Sequence, residues 1–186
     1  MIVVNLFGGP GSGKSTTRAG LFYLMKLAGF KVEEAPEWIK HKVYEGDPYP
    51  FKDQMYTFAK QNKMVRELDG KVDWCVTDSP LLLSLIYGDG RTKAFEAMVH
   101  ETYDSYTNIN IFIDRVKPYA AFGRNQTEDE AREKDREILE ILSERGDKVF
   151  HVPGNELAPG TILAYIQSKL TDMPKHADVT EAVHVV

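Results

Sequence analysis

An apolar run, IVVNLF at residues 2–7, leads straight into GGPGSGKS at 8–15, and four of those eight positions are glycine. The spacing G-x-x-x-x-G-K-[ST] is that of a phosphate-binding loop when it follows a strand and opens a helix. Successive backbone N–H groups can wrap an anion only where side chains do not intrude, which accounts for Gly8, Gly9, Gly11 and Gly13 around Pro10 and Ser12. The following helix turns its positive end toward the same anion. Lys14 supplies a point charge to the outer phosphates, and the Ser15 hydroxyl is placed to ligate magnesium. Residues Gly8 to Thr16 therefore form a candidate nucleotide site, with ATP and Mg2+ as the expected cofactors. A glycine-rich turn that fits the spacing by accident is the competing reading, and the flanking strand and helix argue against it.

The rest of the chain repeats the same alternation. FKVEEA (30–35), DWCVTD (73–78), NINIFID (108–114) and KVFHVP (148–153) read as short buried strands. Helical spacing occupies 14–28, closed by Gly29, then 51–68, 127–146 and 158–170. Thr127 with Glu130 forms a capping box at the start of the third of these. The pattern predicts an α/β P-loop NTPase: a five-stranded parallel sheet flanked by helices, in the order 2-3-1-4-5, with its site at the strand C-termini. A length of 186 residues suits one domain, residues 1–170, with 171–186 as a tail of no clear role. The single cysteine, Cys75, lies in an apolar run and reads as a buried, inert thiol in a reducing compartment. No basic leader or apolar run of membrane-spanning length occurs, so a soluble cytoplasmic protein without a membrane partner is expected. The net charge of −5 counts against a surface coated for nucleic acid, yet leaves room for a local basic groove.

Candidates for chemistry cluster after the strand ends. Asp78, closing DWCVTD, is where the sheet would deliver a carboxylate to the magnesium of a bound triphosphate; the alternative is an N-cap for the run after Pro80. Glu37, in EEAPEWIK, leaves the second strand beside Trp38 and is the candidate base for an acceptor hydroxyl. An ordinary first-turn glutamate is its alternative. Phe51, Gln54, Phe58, Gln61, Val65 and Leu68 share one helix face, and two buried carboxamides there need partners. A planar base edge, flanked by the phenylalanines, would supply them. In the alternative, that stripe turns to solvent and Met55 joins the core. After the fourth strand, Arg115, Lys117 and Arg124 surround a glycine and precede the capped helix, which reads as a cationic lid over about 115–130 or as a solvated basic loop.

The segments GGPGSGKSTT, PEWIK, TDSPLL and DRVKPYAAFGRNQTEDEA together resemble the small P-loop kinases of tailed bacterial viruses, over residues 1–170. Within that group the chain is similar to the viral 5-hydroxymethyluridine DNA kinases. The resemblance implies a nucleoside/nucleotide-kinase-like fold with a lid. It further implies ATP-dependent phosphorylation of 5-hydroxymethyluracil in DNA, a step toward hypermodified thymidine; the residues read above for that chemistry, Lys14, Glu37, Asp78, Arg115 and Arg124, are the expected catalytic set. Trp38, Gln54, Phe58 and Gln61 are the residues expected at the acceptor base, and Ser15 and Asp78 at the metal. More distant relatives phosphorylate free nucleosides, deoxynucleotides or nicotinamide riboside. Here the proline of PEWIK precedes Glu37, and TDSP lacks the arginine that deoxynucleoside kinases place after the acid.

An acceptor base must be single-stranded or flipped out to reach the phosphates. Lys40, His41, Lys42, Lys52, Lys60 and Lys63 form either a basic rim for a DNA backbone or a solvated helix surface. Four classes follow: a DNA-base kinase, a kinase of free nucleosides or nucleotides, an NTP-hydrolysing switch or motor, and a protein that only binds nucleotide. The short chain speaks against a motor, and the presence of Lys14, Ser15 and Asp78 speaks against mere binding.

Overall fold

Strand β1 (Ile2–Phe7) lies at the centre of a five-stranded sheet in a computed structural model that describes residues 1–46, 52–88, 92–116 and 127–172. Of His41, Val43, Thr171 and Asp172 only the backbone is described. The other strands are β2 (Val32–Ala35), β3 (Trp74–Thr77), β4 (Thr107–Asp114) and β5 (Val149–Pro153). Their order is β2-β3-β1-β4-β5, and every pairing is parallel, as the alternation of apolar runs and helices predicts. Parallel neighbours need crossovers, which the helices provide while covering both faces.

Helix α1 (Lys14–Leu27) follows the glycine loop. Helix α2 (Ile39–Glu45) follows β2, and α3 (Gln54–Arg66) is capped by the Asp53 carboxylate, which accepts from the Tyr56 amide at 2.9 Å. A 3-10 turn, Leu81–Leu85, and α4 (Lys93–Asp104) fill the crossover from β3 to β4. Helix α5 (Glu128–Glu144) opens on the expected capping box of Thr127 and Glu130, and α6 (Ala158–Asp172) closes the described chain. The sequence pattern had not marked α2 and α4 as helices. The β2 and α3 segments are also shorter than FKVEEA and 51–68, and Asp53 caps the start of α3.

Two apolar layers sandwich the sheet. One joins Val4, Leu6, Ile111, Ile113 and Val152 to Leu21 and Met25 of α1 and Ile162 and Ile166 of α6. The other joins Phe7 and Phe112 to Phe58 of α3, Leu81, Leu82, Leu83 and Leu85 of the 3-10 turn, Phe95 and Val99 of α4, and Ile138 and Leu142 of α5. Two polar contacts lie within the sheet region: Asn5 donates to Asn108 at 2.8 Å, and the Tyr103 hydroxyl donates to Asn110 at 2.6 Å. Cys75 is fully buried, and desolvation pushes its thiol up to about 12, the inert behaviour expected. Among the described residues no helix is long and apolar enough to cross a membrane.

The first layer holds α1, and with it the glycine loop, against the sheet. Ile162→Ala, which opens a cavity where α6 supports that layer, should cost about 2–5 kcal/mol in denaturant unfolding. A loss under about 1 kcal/mol would show that α6 is not part of the cooperative core.

Candidate active site

Every strand delivers its functional residues to the same edge. β1 runs into the loop at Gly8, β2 into Glu37, β3 into Asp78, β4 into Arg115 and β5 into Gly154. Because all five strands are parallel, their C-terminal ends line one edge of the sheet, the usual place for ligands in an open α/β fold.

The loop has the shape of an anion cradle. Gly13, the N-cap of α1, has φ +106°, a left-handed value that favours glycine, and no side chain caps the helix. The geometry thus offers the first-turn amides of Lys14, Ser15 and Thr16 to an anion. The Ser12 hydroxyl is buried without a hydrogen-bond partner among the described residues, and a Cβ on Gly8 would lie 2.6 Å from it. An orphaned donor inside a glycine-lined loop fits phosphate oxygens as partners. Lys14 folds over the loop and donates to the carbonyls of Gly8 at 2.6 Å and Gly9 at 2.9 Å. Burial lowers its pKa; Glu37, Asp78 and Asp135 oppose that shift, and Arg115 adds to it.

Glu37 sits across from Lys14. Its pKa is raised, chiefly by burial and further by Asp78, while Lys14 and Lys40 pull the other way. The residue lies two positions before α2 begins, so it is a cleft carboxylate rather than a first-turn residue of that helix. Asp78 is 3% exposed, and its Oδ1 accepts from the Glu37 amide at 3.2 Å. The same oxygen lies 3.2 Å from Nε of Arg18, whose guanidinium also contacts Glu34 at 2.7 Å. Asp78 does not cap the run after Pro80, since the turn at Leu81 has no side-chain cap. Its Oδ2 is the oxygen left for a metal. Among the described residues no three His, Cys, Asp or Glu side chains gather as a metal centre. A magnesium ion here would rely on phosphate oxygens, Ser15 and Asp78.

Two of the expected base contacts have partners of their own in the protein. The Gln54–Phe58–Gln61–Val65 stripe is indeed the buried face of α3, and Met55 is 60% exposed. Phe58 packs edge-on against Phe95 in the core. Gln61 spends its carboxamide on the backbone of the loop carrying Glu37. It accepts from the Trp38 amide at 3.0 Å and donates to the Pro36 carbonyl at 3.2 Å. Gln54 remains: 9% exposed, packed on Gly88, and without a hydrogen bond among the described residues. Trp38 is half-buried, edge-on to Tyr56 at 5.4 Å. Arg115 is 4% exposed and pairs with Asp135 of α5 at 3.1 Å. Phe51, Lys117 and Arg124, most of the expected lid and residues 173–186 lie outside the described residues.

Three participants escape a reading of motifs. Arg18 is four residues after Lys14 on α1, where i and i+4 share a face. Asp135 falls in the buried stripe Ala131, Ile138, Leu142 of α5, and an acid there was the available signal. Tyr87 follows the 3-10 turn. Burial raises its pKa, and the carboxylates of Glu37, Asp135 and Glu137 add to that.

Fold and loop define a P-loop nucleotide-binding protein with a kinase-like α/β architecture. The chain belongs to the AAA domain family, whose model matches residues 3–158. No curated protein matches it in sequence. Among solved structures it is similar to shikimate kinase from Acinetobacter baumannii in complex with shikimate, with TM-score 0.51 at 16% identity over 94% of this chain and 95% of that one. The crystal structure of APE1195 is 20% identical, with TM-score 0.49, over 92% of this chain and 95% of that one.

Gly154 tests the cradle from its outer side, since a Cβ there would overlap the Ser12 carbonyl oxygen. Gly154→Ala should weaken ATP binding at least ~10-fold by calorimetry, because the loop must shift to admit the methyl group. Glu37 predicts a pH effect on stability. Its folded pKa lies above the unfolded one, so its contribution is fully present at low pH and is lost as pH rises from the ordinary carboxylate range through the folded value. Glu37→Gln should therefore be at least as stable as the wild type at pH 7, and relatively less so at pH 4. The reverse order in denaturant titrations would place the carboxylate in an environment that favours its charge.

Proposed function

We propose that the protein is an ATP-dependent kinase whose acceptor is an alcohol, and specifically the hydroxymethyl group of 5-hydroxymethyluracil in DNA. The observation that carries the kinase reading is Glu37: a partly buried carboxylate just after β2, hydrogen-bonded through its amide to Asp78, electrostatically coupled to Lys14 and with its pKa raised chiefly by burial. A base of elevated pKa opposite the phosphate cradle is what transfer to a hydroxyl requires, because the attacking oxygen must lose a proton as it bonds to phosphorus.

In this reading Glu37 takes the proton of the acceptor hydroxyl as its oxygen bonds to the γ-phosphorus. The bond from that phosphorus to the β,γ-bridging oxygen breaks, and ADP leaves. Lys14 and the first-turn amides of α1 offset charge on the outer phosphates. Magnesium, bound through Ser15 and Asp78, would neutralise the phosphate oxygens. Arg18 and the Glu37 amide hold the Asp78 carboxylate in place. Gln61 holds the loop that carries the base.

The DNA acceptor is supported by the resemblance to viral 5-hydroxymethyluridine DNA kinases and by Gln54, a buried carboxamide with hydrogen-bonding capacity to spare. Against the basic rim, Lys42 pairs with Glu45 at 2.5 Å and Lys63 with Glu67, leaving Lys40, Lys52 and Lys60 as its described cations outside ion pairs. That partial neutralisation favours a second reading, a kinase of a free nucleoside, nucleotide or similar small alcohol.

The test incubates the protein, γ-labelled ATP and magnesium separately with 5-hydroxymethyluracil DNA, thymine DNA and free 5-hydroxymethyldeoxyuridine. Label on the first alone is expected. Label on the free nucleoside alone would leave the second reading, and label on thymine DNA would point to strand ends. Lys14→Ala and Asp78→Asn should each lower turnover at least ~100-fold. Glu37→Gln should depress kcat far more than ATP affinity and abolish the acidic limb of the pH–rate profile, a limb lying above the ordinary carboxylate range.

A further inference from the structure

Gly9 is gripped at both ends of its own backbone. Its carbonyl accepts from Lys14 at 2.9 Å, and its N–H donates to Oδ1 of Asp135 at 2.5 Å. The other oxygen of that carboxylate, Oδ2, accepts from Arg115, from Nε at 3.3 Å and from a terminal nitrogen at 3.1 Å. A continuous polar chain thus runs Lys14–Gly9–Asp135–Arg115. It joins the phosphate loop to α5 and to the first residue after β4. The approach is close because position 9 has no side chain: a Cβ there would overlap the Ala131 carbonyl oxygen one turn before Asp135. Asp135 is 17% exposed and Arg115 is 4% exposed, so the pair is largely removed from water.

We infer that Asp135 is a positioning residue for phosphoryl transfer: one carboxylate fixes the entry limb of the phosphate loop and, with its second oxygen, aims Arg115 at the reacting phosphates. This rests on the kinase reading above. The two oxygens do separable jobs. The bond to Gly9 needs only an acceptor, which an amide also offers. The bond to a guanidinium depends on charge, because ionic hydrogen bonds are roughly twice as strong as neutral ones. The electrostatics are compatible with this: Asp135 raises the Lys14 pKa and Arg115 lowers it, so both charges are felt at the lysine. Without the carboxylate charge, the ionic hold of Asp135 on the Arg115 guanidinium is weakened. Misplacing a charge-stabilising group by about 1 Å can cost on the order of 100-fold in rate while leaving ground-state binding nearly intact.

The test needs no knowledge of the acceptor. Calorimetry compares ADP with ADP plus magnesium and aluminium fluoride, a mimic of the transferring phosphoryl group, for wild type, Asp135→Asn, Arg115→Ala and the double variant. Asp135→Asn should bind ADP within about threefold of wild type and the fluoroaluminate complex about 100-fold more weakly. The double variant should be no worse than Arg115→Ala alone, because both changes remove one aimed cation. Undiminished binding of the mimic by Asp135→Asn, or additive losses in the double variant, would overturn the inference. Loss of ADP binding in Asp135→Asn would also overturn it, making the carboxylate a structural prop of the loop. A wild-type protein that bound ADP without distinguishing the mimic would instead overturn the kinase reading itself.

Discussion

Bare backbone around the phosphate loop is the constraint on which the site depends. On one side α5 comes so near Gly9 that a methyl group would strike the Ala131 carbonyl; on the other, Gly154 lies against the Ser12 carbonyl. The loop is thus wedged between the helix after β4 and the turn after β5. Close-packed interiors transmit small displacements rather than absorb them. An anion cradle built from amides keeps its shape only if such walls hold it, because glycines impose little conformational preference of their own. The same glycines that admit phosphate therefore also admit the neighbours that make the loop rigid.

A second organising element is charge held in chains rather than in isolated pairs. Asp78 meets Arg18 on α1 and the amide of Glu37 on the β2–α2 loop, so three segments converge on one carboxylate. Thr77 adds to this by donating to the Ala35 carbonyl at 2.7 Å, which joins the ends of β2 and β3. Asp135 plays the corresponding part on the opposite flank. Each buried acid has a cation and an amide, which is how charge is tolerated where water is scarce. Glu37 is the exception, opposed by Lys14 yet dominated by its own desolvation, and an unsettled carboxylate of this kind suits a group that must exchange a proton.

Much of the site could be read one segment at a time. The glycine loop, Lys14 and Ser15 follow from spacing, and Asp78 and Glu37 from the rule that parallel strands present their C-terminal ends together. The buried face of α3 was legible as well, since 54, 58, 61 and 65 recur with helical spacing. The partners of that face were not. Gln61 looked like a ligand contact because a buried carboxamide must bond something; its partners are Trp38 and Pro36, more than twenty residues away in the chain. The same holds for Phe58: periodicity says that a ring is buried but not against what, and Phe95 of α4 packs on it.

By itself, then, the sequence determined the class of fold, the strand order and the phosphate loop, because these rest on local chemistry: branched apolar runs, glycine freedom, caps and the short reach of connections. Only the tertiary structure decided which acids are braced and which are poised. Asp135 lies 126 residues from Gly9, and Asp78 lies 60 from Arg18, so no spacing within a helix or strand could announce either contact. Whether a carboxylate is raised, as in Glu37, or held by an arginine, as in Asp78, depends on how much water and which charges surround it. Those surroundings arise only when separate elements pack together.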